Sequence, residues 1–200
     1  MVDFVYLASQ SPRRRQLLEQ LGVRYELLLA GSGEDAEALE VALEDEAPAK
    51  YVQRVAALKL DAALARLVRR DLPPAPILCS DTTVALGQAM FGKPDDAVHA
   101  GHMLSALAGR SHQVLTAVAV QHGRQRFEAL STSQVTLWAM TEAQIKAYVD
   151  SGEPMGKAGA YAIQGKIAMY ITRIDGSYSG IMGLPLWETA LLLQATGLEI

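Results

Sequence analysis

The run Ile77-Leu78-Cys79-Ser80-Asp81-Thr82-Thr83-Val84-Ala85-Leu86 constrains this chain more than any other. It reads as a strongly apolar strand interrupted by Ser-Asp-Thr-Thr. A carboxylate inside a central strand costs several kcal/mol unless it is paired or bound to a metal. Asp81 is therefore better explained by a catalytic or metal-binding role than by packing. Around this strand the chain alternates strands and helices, with a hairpin in the middle. That alternation predicts an α/β fold built on a mixed sheet.

Residues 5–22 read as a short strand, a polar turn and a helix. Ser11 suits the N-cap, where its hydroxyl can accept a first-turn N–H. Pro12 suits the first helical position, where a missing N–H costs nothing. Leu17, Leu18 and Leu21 give one apolar face, and Gly22 ends the helix. Arg13, Arg14 and Arg15 crowd the first turn, where the helix dipole disfavours cations. The arrangement is poor for stability and good for an anion, above all a phosphate.

The remaining pattern predicts strands at residues 23–30, 112–120, 125–130, 134–138 and 167–174. Helices are predicted at residues 49–69, 96–107, 142–149 and 187–195, the third capped by Thr141. Gly31-Ser32-Gly33 breaks the second strand, and an acidic segment follows. Most of its acids, Glu40 among them, read as solvated surface. Glu34 differs, because it stands at the strand end where a metal ligand could sit. Lys59 falls near the apolar face of the long helix, where a snorkelling lysine is the plain alternative to a functional one. Lys93 precedes Pro94 in extended or turn backbone and can reach an anion; an exposed turn lysine is its plain alternative. Residues 151–161 are glycine-rich but lack the P-loop pattern. Gln164 follows two apolar residues at a strand start, where its amide could hydrogen-bond a base edge. His99, His102, His112 and His122 make no metal pair at helical spacing.

The 200 residues favour one domain, spanning 1–200, with a sizeable core. The hydrophobic fraction of 50% and charged fraction of 20% are those of a globular chain. A net charge of −4 argues against a nucleic-acid binder. Cys79 has no partner for a disulfide or a zinc site, which points to a reducing compartment. The first residues carry no signal-peptide pattern, and no apolar run approaches a membrane span. A cytoplasmic protein with no membrane association is expected.

Six segments in order resemble the Maf family of nucleotide pyrophosphatases. They are Leu7-Ala8-Ser9-Gln10-Ser11-Pro12-Arg13-Arg14, Ser80-Asp81-Thr82-Thr83-Val84, Gly92-Lys93-Pro94, Met103-Leu104 through Gly109-Arg110-Ser111-His112-Gln113-Val114, Gly152-Glu153-Pro154 with residues 157–165, and Gly183-Leu184-Pro185-Leu186. The resemblance implies a two-lobed α/β domain around a long mixed sheet flanked by helices, of the Maf/inosine triphosphatase-like kind, with a central cleft. It implies hydrolysis of nucleoside triphosphates to monophosphate and pyrophosphate, a divalent metal (Mg²⁺ or Mn²⁺), and a homodimer. Asp81-Thr82, Lys157-Ala158-Gly159-Ala160-Tyr161 and Ile163-Gln164-Gly165 resemble the branch acting on dTTP and UTP.

By that resemblance Asp81 is the proton acceptor, and Arg13, Thr82 and Gln164 mark substrate specificity. Ser9, Arg13, Arg14, Lys59 and Lys93 bind the phosphates, while Asp81 and Glu34 hold the metal. Relatives often carry two acids at or before the position of Glu34, whereas Gly33 precedes it here, so Asp35 and Glu37 remain open alternatives. Arg15 lies outside the motif and is assigned to the solvated surface. A nucleotide-binding regulator of cell division, without significant turnover, is the alternative function.

Overall fold

The computed structural model describes residues 3–34 and 37–200. Its strands are β1 (Val5–Leu7), β2 (Tyr25–Leu27), β3 (Ile77–Leu86), β4 (Ala89–Phe91), β5 (Ser111–His122), β6 (Gln125–Leu137) and β7 (Ile171–Asp175). They form one sheet in the order β2-β1-β3-β5-β6-β7, with β4 added against the far end of β3. β2, β1 and β3 run parallel, and from β3 onward neighbours are antiparallel. The sheet is therefore mixed, as the alternation of elements predicts.

Helices cover both faces because alternate strand residues are apolar on each. α1 (Pro12–Gln20) and α6 (Leu186–Ala195) enclose Val5, Leu7, Leu78, Val118 and Val120 on one face. α2 (Pro48–Arg69) closes the other face over Tyr6, Ile77, Cys79, Ala117 and Ala119. Its buried stripe, Val52, Val55, Ala56, Leu60 and Ala63, keeps helical spacing. A third cluster joins α3 (Ala97–Leu107) and α4 (Glu142–Asp150) to the far ends of β3, β5 and β6.

One irregularity of pairing makes room for a site. β1 ends at Leu7, opposite Leu78, and β4 first meets β3 at Val84. Between those points β3 has no strand neighbour on that side among the described residues, although β5 continues to pair with it on the other. Asp81 and Thr82 lie in this gap. Period-two alternation turns Asp81 toward α2, like Ile77 and Cys79, and Thr82 toward α1.

Several expectations need correction. Residues 125–130 and 134–138 are a single strand, β6, running unbroken through Ser131-Thr132-Ser133. These hydroxyls look like a loop, but Ser133 accepts the Ser177 N–H at 2.9 Å and pairs across to Val114, so the strand continues. Residues 166–170 form a 3-10 helix, and only Ile171–Asp175 is strand. β2 covers three residues of the 23–30 expected. β4 and the short helix α5 (Tyr178–Met182) were not anticipated. Among the described residues, no helix is long and apolar enough to cross a membrane.

Candidate active site

The gap beside β3 opens into a cleft of about 930 Å³. Ser9, Arg13, Arg14, Glu34, Lys59, Asp81, Thr82, Lys93 and Gln164 all line it, so the fold brings every expected site residue to one cavity. They do not all converge on one point.

On the α2 side, Lys59 donates to Asp81 Oδ1 at 2.6 Å and to Glu40 Oε1 at 2.7 Å. Lys93 reaches the same Glu40 at 3.0 Å. Two carboxylates thus face one another across a shared ammonium. Burial raises the Glu40 carboxyl, but Lys59 and Lys93 outweigh it and leave its pKa lowered. The Tyr51 hydroxyl fixes the segment by donating to the Glu40 carbonyl at 2.9 Å. Asp81 Oδ2 has no hydrogen-bond partner among the described residues, which leaves it open to accept a proton.

Glu34 is elsewhere. Arg66 holds it with three contacts of 2.6–3.2 Å, and Arg69 adds another at 2.6 Å. The Arg66 hydrogen bonds are the main reason its pKa falls to about 2. Lys59 and Arg66 lie on one stripe of α2, seven residues apart, a rise of roughly 10 Å. Lys59 is taken by Asp81 and Glu40, and Arg66 by Glu34. The structure thus sets Glu40, and not Glu34, opposite Asp81 across the Lys59 ammonium. Of the alternatives, Asp35 and the Glu37 side chain lie outside the described residues. Glu40 was missed because it stands in a run of acids that looks uniformly solvated. Its contacts with Lys59 and Lys93 single it out.

On the α1 side, Ser11 takes the N-cap position, but its hydroxyl makes no capping bond. Ser9 Oγ instead accepts the Ser11 N–H and Arg14 Nη1, both at 3.2 Å. The backbone N–H groups of Arg13 and Arg14 make no hydrogen bond among the described residues, so the helix end presents two open donors to the cleft. Arg14 is clamped: Nε donates to the Gly183 carbonyl at 2.8 Å and Nη2 to Thr82 Oγ1 at 3.4 Å. Gly183 has φ 114°, a conformation that favours glycine, and its carbonyl also accepts from Ser80 Oγ at 2.9 Å. Burial lowers the pKa of both Arg13 and Arg14. Among the described residues the Arg13 side chain hydrogen-bonds only the Met182 carbonyl, at 3.4 Å, and is the freer of the two. Arg15 is half-buried rather than solvated: it donates to the Gln10 carbonyl, and its Nε is buried without a partner.

Thr82 has a defined proton direction. Thr116 Oγ1 gives its proton to the Gly180 carbonyl at 2.7 Å, so Thr82 must donate to Thr116 at 2.9 Å and can only accept from Arg14. Thr82 thus orients the Arg14 guanidinium in the cleft. Thr116→Val removes the acceptor that fixes this relay. It should raise KM for the nucleotide about fivefold to tenfold with kcat nearly unchanged, measured by steady-state kinetics.

The third wall is the loop after α4. Gln164 is exposed to the cleft from a turn, not from a strand start. Lys157, to which no role was assigned, also lines the cleft; burial and then the nearby Arg13 lower its pKa. Tyr161 Oη lies 2.8 Å from His112 Nε2, and His112 Nδ1 is buried without a partner. Burial lowers the His112 pKa from 6.5 to about 4. The unfolded chain takes up that proton below pH 6.5 and the folded chain does not until about pH 4, so stability falls through this window on acidification. The expected loss is on the order of 3 kcal/mol. Urea unfolding across the window should show it, and the slope should flatten in His112→Gln.

An α/β cleft lined by arginines and lysines, with an open helix end and a carboxylate pair, defines a phosphate-handling site. A family model described as Maf-like protein matches residues 4–196, and the chain belongs to the Maf family. It is similar to the dTTP/UTP pyrophosphatase of Polaromonas sp., 67% identical over 99% of this chain and 98% of that protein. The dTTP/UTP pyrophosphatases of Cupriavidus pinatubonensis and Albidiferax ferrireducens are 64% and 62% identical, over 100% of each chain. Among solved structures, a nucleoside-triphosphatase / dITP/XTP pyrophosphatase from Mycobacterium abscessus is 13% identical with a TM-score of 0.42, over 66% of this chain and 73% of that one.

Proposed function

We propose that this chain hydrolyses dTTP and UTP, and modified pyrimidine relatives, to the monophosphate and pyrophosphate by water attack on the α-phosphorus. The observation that carries the reading is the Asp81 carboxylate, anchored through one oxygen by Lys59 and open at the other, in a cleft walled by cations. The names of relatives more than 60% identical over their full length support the substrate.

In this mechanism the triphosphate lies over the open end of α1. The Arg13 and Arg14 N–H groups, their guanidiniums and the Ser9 hydroxyl donate to its oxygens. Lys59 and Lys93 supply charge opposite. Asp81 Oδ2 orients the water and takes its proton, and the developing negative charge meets donors already in place. Gln164 reads the base edge from the third wall.

A divalent cation fits the donor set. Asp81 and Glu40 are hard oxygen ligands facing each other, and among the described residues no group of three His, Cys, Asp or Glu side chains competes with them. Mg²⁺ and Mn²⁺ are commonly held by one or two carboxylates with substrate phosphates. Such an ion would neutralise the phosphates and polarise the α-phosphoryl oxygens. A single catalytic unit spanning 1–200 is part of the reading, supported by a cleft lined from Ala8 to Gly183. So are a cytoplasmic setting, supported by the lone unpaired Cys79, and a homodimer, supported by exposed Trp138, Met169 and Ile174 at and beside the unpaired β7 edge.

A panel of nucleoside triphosphates with Mg²⁺ or Mn²⁺ tests the proposal. Pyrophosphate from dTTP and UTP is expected. Orthophosphate release would make the chain a phosphatase, and binding without turnover would favour the regulator.

A further inference from the structure

The turn that carries Gln164 is pinched by a pair of side chains to which no role has been given. Its residues run from Ala162 to Gly165, closed by the Gly165 N–H on the Ala162 carbonyl at 2.8 Å. Ile163, inside the turn, is buried in the core beside Met182 and Leu184. Gln164, at the apex, makes no side-chain hydrogen bond among the described residues and faces the cleft. Tyr148, buried on α4, meets the Ala162 backbone with its hydroxyl and donates it to Glu153 Oε1 at 2.7 Å. Glu153 Oε2 accepts the N–H of Lys166, the residue just beyond the turn, at 3.1 Å. The two side chains therefore hold both ends of one turn.

The fit around Glu153 is close. A Cβ added to Gly165 would stand 1.9 Å from Glu153 Oε1, so the carboxylate lies against the glycine and would have to move aside for any larger residue. Burial and the neighbouring Glu153 raise the Tyr148 pKa, which keeps the phenol protonated as a donor. The Glu153 carbonyl is in turn held by the Lys157 ammonium, which sits across from Arg13. Glu153 thus connects the turn to the phosphate side of the cleft.

We infer that Glu153 is a positioning residue for base recognition: its carboxylate, with Tyr148, sets the place of the Gln164 amide and so the preference for one pyrimidine over another. The inference rests on the reading of Gln164 as the base reader. A role in recognition predicts a change in selectivity at constant chemistry, whereas a merely structural role would lower the rate on every nucleotide alike.

Steady-state kinetics on UTP and CTP in the full chain separate these cases. CTP differs from UTP in presenting an amino group where UTP presents a carbonyl. Glu153→Gln, which keeps shape and one acceptor, should lower the UTP:CTP ratio of kcat/KM about tenfold, the loss of one hydrogen bond's discrimination. The loss should fall on KM for UTP, with kcat nearly unchanged. Gln164→Ala should lower the ratio similarly, and the double variant no further, because both act through one amide. Gly165→Ala, which displaces the same carboxylate by sterics alone, should reproduce the effect and keeps the test alive should Glu153→Gln fail to fold.

Equal losses on both nucleotides, or losses that multiply in the double variant, would overturn the inference while leaving Gln164 as the reader. An unchanged ratio in Gln164→Ala, or no preference in the wild type, would remove the reading of Gln164 and the inference with it.

Discussion

Asp81→Asn is expected to lower kcat on dTTP and UTP by ~10²–10⁴-fold, the usual worth of a positioned general base. The amide is isosteric but cannot take the water's proton. The fold should survive. Lys59 keeps Glu40 as its partner at 2.7 Å, so the substitution strands no buried cation. Asn retains an oxygen to accept from Lys59 in place of Asp81 Oδ1. Circular dichroism and the melting temperature should therefore stay close to wild type while turnover collapses. Near-normal kcat would remove Asp81 from the chemistry and with it the mechanism proposed.

The second large effect separates two acids that the sequence alone confuses. Glu40→Gln should lower kcat by about 10²-fold and raise the concentration of Mg²⁺ or Mn²⁺ needed for half-maximal rate. It removes one of the two facing carboxylates and leaves Lys93 without its partner. Glu34→Gln should leave kcat and the metal requirement near wild type. Its cost appears in stability instead, because Arg66 is buried and loses the carboxylate that neutralises it. A measurable fall in melting temperature is expected. The reverse pattern would return the metal to Glu34.

The two acids show where sequence reasoning reaches and where it stops. Asp81 was legible because it breaks an apolar strand, and a buried carboxylate demands a partner or a job. The place of Lys59 near the apolar face of its helix was legible, but helical spacing alone left it a snorkelling lysine, and only the family resemblance pointed it to the cleft. Glu40 was not legible, because seven acids share its stretch and nothing local distinguishes the one that folds back onto α2. The ion pair of Glu34 with Arg66 was illegible for a related reason: strand-end position does not reveal that Arg66 stands two helical turns from Lys59. Element type followed the same logic. The long apolar strands and α2 were read correctly, since periodicity decides them. Ser131-Thr132-Ser133 looked like a break because polar residues also mark loops, and only the contact with Ser177 shows why β6 continues. Ser11 was read as the cap from its type, whereas Ser9 and the absence of a cap bond leave the helix end open for an anion.

The central claim is that water, activated by Asp81, attacks the α-phosphorus. Turnover of UTP in water enriched with a heavy oxygen isotope tests it directly, with mass spectrometry of both products. The account predicts the heavy oxygen in UMP and none in pyrophosphate. Heavy oxygen in pyrophosphate, or orthophosphate as the product, would place the attack on another phosphorus and contradict it.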